Sequence, residues 1–110
     1  MSHQELAIEF IKKFCAGDIE GLALLLSENL QFKGPLFQFN SREAYLLSLK
    51  QDPAQPADYR VISITESPDH ISIFYDYEKN EGSITIAQLF RFKDQKICEI
   101  LIVFDGREFG

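Results

Sequence analysis

Few residues of this 110-residue chain combine reactive chemistry with a suggestive position. Of its two histidines, His70 opens an apolar stretch just after Pro68-Asp69, and His3 falls in what reads as a first helical turn. Neither has a carboxylate or cysteine at ligand spacing, so no metal and no cofactor is expected. His70 is a lone titrating group that reads either as a base or as a strand-end residue. Asp105, before Gly106, ends the last apolar run and reads either as a rim carboxylate or as a strand-terminating turn residue. Glu99 sits inside that run. Asp58 and Glu66 read as solvated strand ends. Cys15 and Cys98 have no redox or metal spacing and are expected as two buried thiols, with a disulfide between them as the alternative. No Ser-His-Asp set, phosphate loop or paired-carboxylate constellation occurs. Apart from these, the groups of interest are neutral: the phenols of Tyr45, Tyr75 and Tyr77 and the amide of Gln88.

The elements that must position these groups can be read from period and caps. Ser2-His3-Gln4-Glu5 has the spacing of a capping box. A helix follows, with Leu6, Phe10, Ile11 and Phe14 on its inner stripe and Gly17 as left-handed cap. Asp18 then caps a short helix carrying Leu22, Leu25 and Leu26 inward. Leu30 to Lys33 and Leu36 to Phe39 read as short strands separated by Gly34-Pro35. Ser41 caps a third helix through about Lys50, with Tyr45, Leu46 and Leu49 at core spacing. Asp52-Pro53 closes it, and Pro53 to Pro56 is a stiff polar loop.

From Asp58 onward the period becomes that of strands: Tyr59 to Thr65, Ile71 to Tyr77, and a long hairpin from Ser83 to Phe104 broken at Lys93-Asp94-Gln95-Lys96. Ser67-Pro68-Asp69 and Glu78 to Gly82 are turns. The two hairpin strands are apolar at nearly every position, which implies cover on both faces. Helices of the same chain can cover one face; a second subunit is expected on the other. Three helices followed by an antiparallel meander define an α+β chain with helices on one side of a curved sheet.

One domain spanning 1–110 fits the length. Of the residues, 45% are hydrophobic, ten are Phe and none is Trp, which points to a large apolar interior. The net charge of −6 argues against nucleic acid and against an anionic membrane surface. Without a secretion signal or an apolar run near the ~20 residues of a membrane span, the expected location is cytoplasmic.

The segment FIKKFCAGDIEGLALLLSENLQF, Phe10 to Phe32, resembles the opening of the nuclear transport factor 2-like superfamily, which includes ketosteroid isomerases, scytalone dehydratases and SnoaL-like cyclases. The likeness continues through Glu43-Ala44-Tyr45 and Gln88-Leu89-Phe90-Arg91-Phe92, and the element order agrees over almost the whole chain. The resemblance implies a cystatin-like α+β cone with a curved, mixed-edge sheet. It further implies a pocket between helices and concave face, and a homodimer through the convex face. The isomerase branch uses a carboxylate base with a tyrosine and a protonated aspartic acid as oxyanion donors. By the family's spacing these places hold Gly34, Phe10 and Gln88, so steroid isomerisation of that design is not expected.

The same resemblance assigns inward faces. Ile71, Ile73, Tyr75 and Tyr77 face the pocket with Ile84, Ile86, Gln88 and Phe90. On the last strand, a three-residue loop with a bulge would turn Cys98, Ile100, Ile102 and Phe104 inward, and the resemblance favours this. A two-residue turn would instead select Ile97, Glu99, Leu101 and Val103. In the favoured register Glu99 stays on the other face, within reach of Arg91. Tyr45 matches a pocket-lining tyrosine of the isomerase branch. The expected lining is therefore Phe10, Phe14, Tyr45, Ile73, Tyr75, Tyr77, Ile86, Gln88, Phe90, Ile100, Ile102 and Phe104: polar tips on an apolar wall, suited to a small hydrophobic ligand. Core tyrosines bonded to backbone would leave the same sequence trace. Two functions follow as expectations, a non-catalytic binding or interaction module and a lyase or isomerase working by proton transfer. The second has only Tyr45, Asp105, His70 or Glu99 to draw on.

Overall fold

The computed structural model describes residues 1–53, 56–79 and 82–105. Helix α1 (His3–Ala16) starts at the expected capping box: the Ser2 hydroxyl accepts from the Glu5 amide and the Glu5 carboxylate accepts from the Ser2 amide, each at 3.1 Å. It ends at Gly17, whose φ of 73° is the left-handed geometry that favours glycine. Asp18 caps α2 (Ile19–Leu25) through the Gly21 amide at 2.8 Å. Ser41 caps α3 (Arg42–Gln51) through the Ala44 amide.

The strands are β1 (Leu26–Lys33), β2 (Gln38–Phe39), β3 (Asp58–Ser67), β4 (His70–Lys79), β5 (Gly82–Lys93) and β6 (Lys96–Val103). They form one sheet in the order β2-β1-β6-β5-β4-β3. All pairs are antiparallel except β1 with β6, so the sheet is mixed toward one edge. Helix α1 packs on β3, β4 and β6, while α3 packs on β1 and β2. This is an α+β fold with its core between helices and sheet.

Besides the shortening of β2 to Gln38–Phe39 from the expected Leu36 to Phe39, three readings of the sequence change. Leu26 is not the last inward residue of α2. It opens β1, fully buried, because the chain passes from helix to strand without a loop. The strand then carries Ser27, Glu28 and Asn29 before its apolar part, and that polar run conceals its start. The β5–β6 connection is neither of the two alternatives as stated. Lys93 pairs with Lys96 across a two-residue turn in which Asp94 and Gln95 take φ of 52° and 64°, the backbone a tight hairpin needs. A bulge follows inside the strand: Phe92 pairs with Ile97 but Arg91 pairs with Glu99, leaving Cys98 as the extra residue. Ile97 therefore turns inward in place of Cys98, and the bulge restores Ile100, Ile102 and Phe104 to the inner side. The third difference follows: Cys15 is buried, but Cys98 is only half-buried. Part of the expected Pro53–Pro56 loop, the centre of the Glu78–Gly82 turn and Gly106 lie outside the described residues.

Candidate functional site: the cone interior and the outer sheet face

Cross-strand register gathers the predicted lining. On the inner face Ile73 pairs with Gln88 and Gln88 with Ile102; Tyr75 pairs with Ile86, Tyr77 with Ile84, and Phe90 with both Ile71 and Ile100. Ile71, Ile73, Tyr75, Tyr77, Ile86, Gln88, Phe90 and Ile100 are buried; Ile84, Ile102 and Phe104 are half-buried. The helices close over them. Phe10 meets the edge of Phe90 at a centroid separation of 5.6 Å, and Phe14 lies 6.2 Å from Tyr77. Tyr45 comes down from α3 onto Phe32, stacked at 4.5 Å, with Phe39 at 5.7 Å and Phe10 at 6.3 Å.

Sequence reading missed Phe32 and Phe39 as partners of Tyr45, and placed Ile97 in the core only in the less favoured register; Cys15 is buried as expected. Alternation of Leu30 and Phe32 along β1 was the available signal.

The polar groups of this interior are few. Gln88 is the only buried polar or charged residue among those described, if the tyrosines are counted as apolar. The Tyr75 hydroxyl donates to Gln88 Oε1 at 2.7 Å. Two polar atoms are left over: among the described residues the Tyr45 hydroxyl and Gln88 Nε2 are buried without a hydrogen-bond partner. Turning the amide around would exchange the orphan atom, not remove it. Burial pushes the Tyr45 and Tyr75 phenols well above their usual range. It also raises Tyr77, and lifts the Cys15 thiol to about 11 with the Asp58 carboxylate adding to the effect. At neutral pH these groups are uncharged. They can hold and orient an acceptor; they do not exchange protons readily.

Gly34, at the place the family's spacing gives to a carboxylate base, is hemmed in. A Cβ there would stand 2.8 Å from Ile102 Cγ2 and 3.0 Å from Phe37 Cε2, while the Gly34 amide donates to the Phe37 carbonyl at 2.9 Å. Any side chain at this position would require the Ile102 side chain or the Phe37 ring to give way.

The other candidates lie away from the Tyr45–Gln88 cluster. His70 begins β4 and bonds Asp69 at 2.8 Å. Glu99 is exposed and accepts from Arg91 at 3.2 Å, the pairing expected on the outer face. Asp105 is exposed just beyond β6. Asp76 points outward as expected, bonded to Thr85 at 2.7 Å and Arg60 at 2.6 Å; the Thr85 hydroxyl first, then Arg60, hold its carboxyl below the ordinary value. Two hollows stand out among the described residues, and neither reaches Tyr45 or Gln88. One of about 280 Å3 opens on the outer face between β1, β4, β5 and β6; another of about 240 Å3 lies along α1 beside Met1, Gln4 and Ile8.

No protein-family model matches the chain, and no curated protein sequence matches it. Solved structures do. A nuclear transport factor 2-like protein of unknown function from Cytophaga hutchinsonii superposes with a TM-score of 0.84 at 22% identity, over 99% of this chain and 95% of that one. A SnoaL-like protein of unknown function from Burkholderia thailandensis gives 0.73 at 18% identity, over 94% and 93%. An LEH-like epoxide hydrolase from M. tuberculosis gives 0.75 at 11% identity, over 94% and 82%. The chain has the nuclear transport factor 2-like fold. Identities this low establish the fold alone, and sites are grafted onto folds independently.

Proposed function

We propose that the protein binds a small, mostly apolar molecule bearing an acceptor oxygen inside the cone, without itself supplying acid–base chemistry. The observation that carries this reading is the pair of buried polar groups left without partners, the Tyr45 hydroxyl and Gln88 Nε2. An unsatisfied buried polar atom costs about 1–3 kcal/mol, and an apolar residue of similar shape would remove that cost. A carbonyl or ether oxygen would give either donor the partner it lacks, within an interior lined by the rings of Phe10, Phe32 and Phe90. A lyase or isomerase of this fold needs a titrating group inside. The described interior offers only phenols and a thiol whose ionisation burial has suppressed.

The second part of the proposal concerns the outer face. Phe74 is 48% exposed, Leu101 41% and Val103 55%, and the register places Phe74 beside Ala87 and Ala87 beside Val103. We assign this apolar row to contact with a second copy of the chain. The cytoplasmic setting expected from the sequence is supported by the two cysteines being free thiols. Among the described residues no helix is long and apolar enough to cross a membrane.

Native mass spectrometry of gently purified protein tests both parts. The expected species is a dimer carrying additional organic-extractable mass that is absent from the Tyr45→Phe variant. A bare mass, together with hydrophobic ketones and ethers that bind no better to the wild type than to Tyr45→Phe, would sink the binding reading. A single-chain mass at micromolar concentration would sink the dimer.

A further inference from the structure

The hollow on the outer face does not reach Tyr45 or Gln88 and is built from cross-strand neighbours. One row aligns His70 with Arg91 and Arg91 with Glu99; the adjacent row aligns Leu89 with Leu101 and Leu101 with Lys33. All six line the hollow, whose volume is about 280 Å3. The leucines form an apolar patch, Leu101 exposed and Leu89 half-buried, and the charged side chains flank it.

The charges there are unevenly matched. Glu99 is taken by Arg91 at 3.2 Å, and His70 is joined to Asp69 at 2.8 Å. Lys33 has no carboxylate within ion-pair distance among the described residues. An uncompensated ammonium thus stands beside exposed leucine on a chain whose net charge is −6. Lysine alone on a surface attracts anions weakly, because water screens it. The adjoining apolar hollow adds a contribution that water does not screen, and only a molecule with both characters collects the two.

We infer that this hollow is a binding site for a small amphipathic anion, a carboxylate with an apolar chain. The carboxylate meets Lys33, with Arg91 as a second donor when it turns from Glu99, and the chain lies on Leu89 and Leu101. The site shares Leu101 with the apolar row assigned to the second subunit, so an occupant would sit at the rim of that contact with Leu101 common to both.

Isotope-labelled full-length protein titrated with octanoate, and in parallel with octanol, tests the inference through backbone amide shifts. Saturable shifts are expected at Lys33, Leu89, Arg91 and Leu101, with octanoate binding roughly tenfold tighter than octanol. Lys33→Glu should weaken octanoate roughly tenfold, while Lys50→Glu, the same charge change on α3, should leave it unaltered. Tyr45→Phe should also leave it unaltered, which separates this site from the cone. Shifts gathered at Tyr45 and Gln88, equal binding of octanol, an equal loss in Lys50→Glu, or no shift at millimolar octanoate would each overturn the assignment.

Discussion

The two faces of this sheet start from similar material and end differently. On β5 and β6 apolar residues point both ways: Ile86, Phe90 and Ile100 inward, Ala87, Leu89, Leu101 and Val103 outward. The inner set is buried beneath α1 and α3, and every polar group it admits is neutral. The outer set stays substantially exposed and is interleaved with charges, Arg60 on Asp76 and Arg91 on Glu99, and with His70 bonded to Asp69. Apolar content therefore does not distinguish a core from a contact surface here. The charge state of the polar residues among it does, because a buried charge is costly and an exposed one is not.

The strongest way to break that contrast is to cut the inner face where it is densest. Phe90 is fully buried, with Phe10 against it edge-on and Phe92 at 6.5 Å. Phe90→Ala should lower unfolding free energy by about 3–5 kcal/mol in urea titrations. Phe74→Ala, at the residue next to Ile73 on β4 but facing out, should change a single subunit by roughly 0.5 kcal/mol or less. Equal losses would mean that the outer face is packed within the subunit after all.

The inner face can also be probed through pH. Burial raises the Cys15 thiol to about 11, above the 9.0 it has when unhindered. The fold therefore favours the neutral thiol. That stabilisation is complete below pH 9 and is lost as pH rises through about 11, because the unfolded chain ionises first. The loss across this window should be about 2 kcal/mol, and the raised phenols extend it upward. Cys15→Ala should flatten the part between pH 9 and 10 whatever its effect at pH 7. An unchanged alkaline slope would show that Cys15 does not control it.

Tyr45→Phe sharpens the contrast differently. If the hydroxyl is an orphan in the empty protein, removing it should raise stability by about 1–2 kcal/mol while weakening retention of the ligand. A loss of stability would reveal a partner for the hydroxyl and remove the main support for a binding cone.

How much of this was legible in the sequence depends on how singular each local signal is. Ser2, Gly17, Asp18 and Ser41 each occupy a cap that only a few residue types fill, so helix ends could be read closely. Tyr45 could be placed by its helical spacing with Leu46 and Leu49, while the inward facing of Gln88 rested on the family resemblance. The last strand could not, since Ile97 to Phe104 is apolar on both sides and gives no reason to prefer one register. Its facing depends on a bulge at Cys98 that shifts the pattern by one residue, and on a turn formed by Asp94 and Gln95, which carry no glycine to announce it. The outer hollow was illegible for another reason. Lys33 is far in sequence from Leu101 and Arg91, which share a hairpin, and meets them only because β1 joins β6 in parallel.

Another small effect is expected on that outer face. Arg91 and Glu99 are each about half exposed, 48% and 49%, so their 3.2 Å contact is largely screened by water. Glu99→Gln should cost below about 1 kcal/mol, and 1 M salt should erase most of the difference from wild type. If the penalty instead persists in salt and exceeds that range, the pair is shielded from water. A second subunit lying over this face would produce that shielding, and the penalty should then fall on dilution to concentrations at which the dimer comes apart.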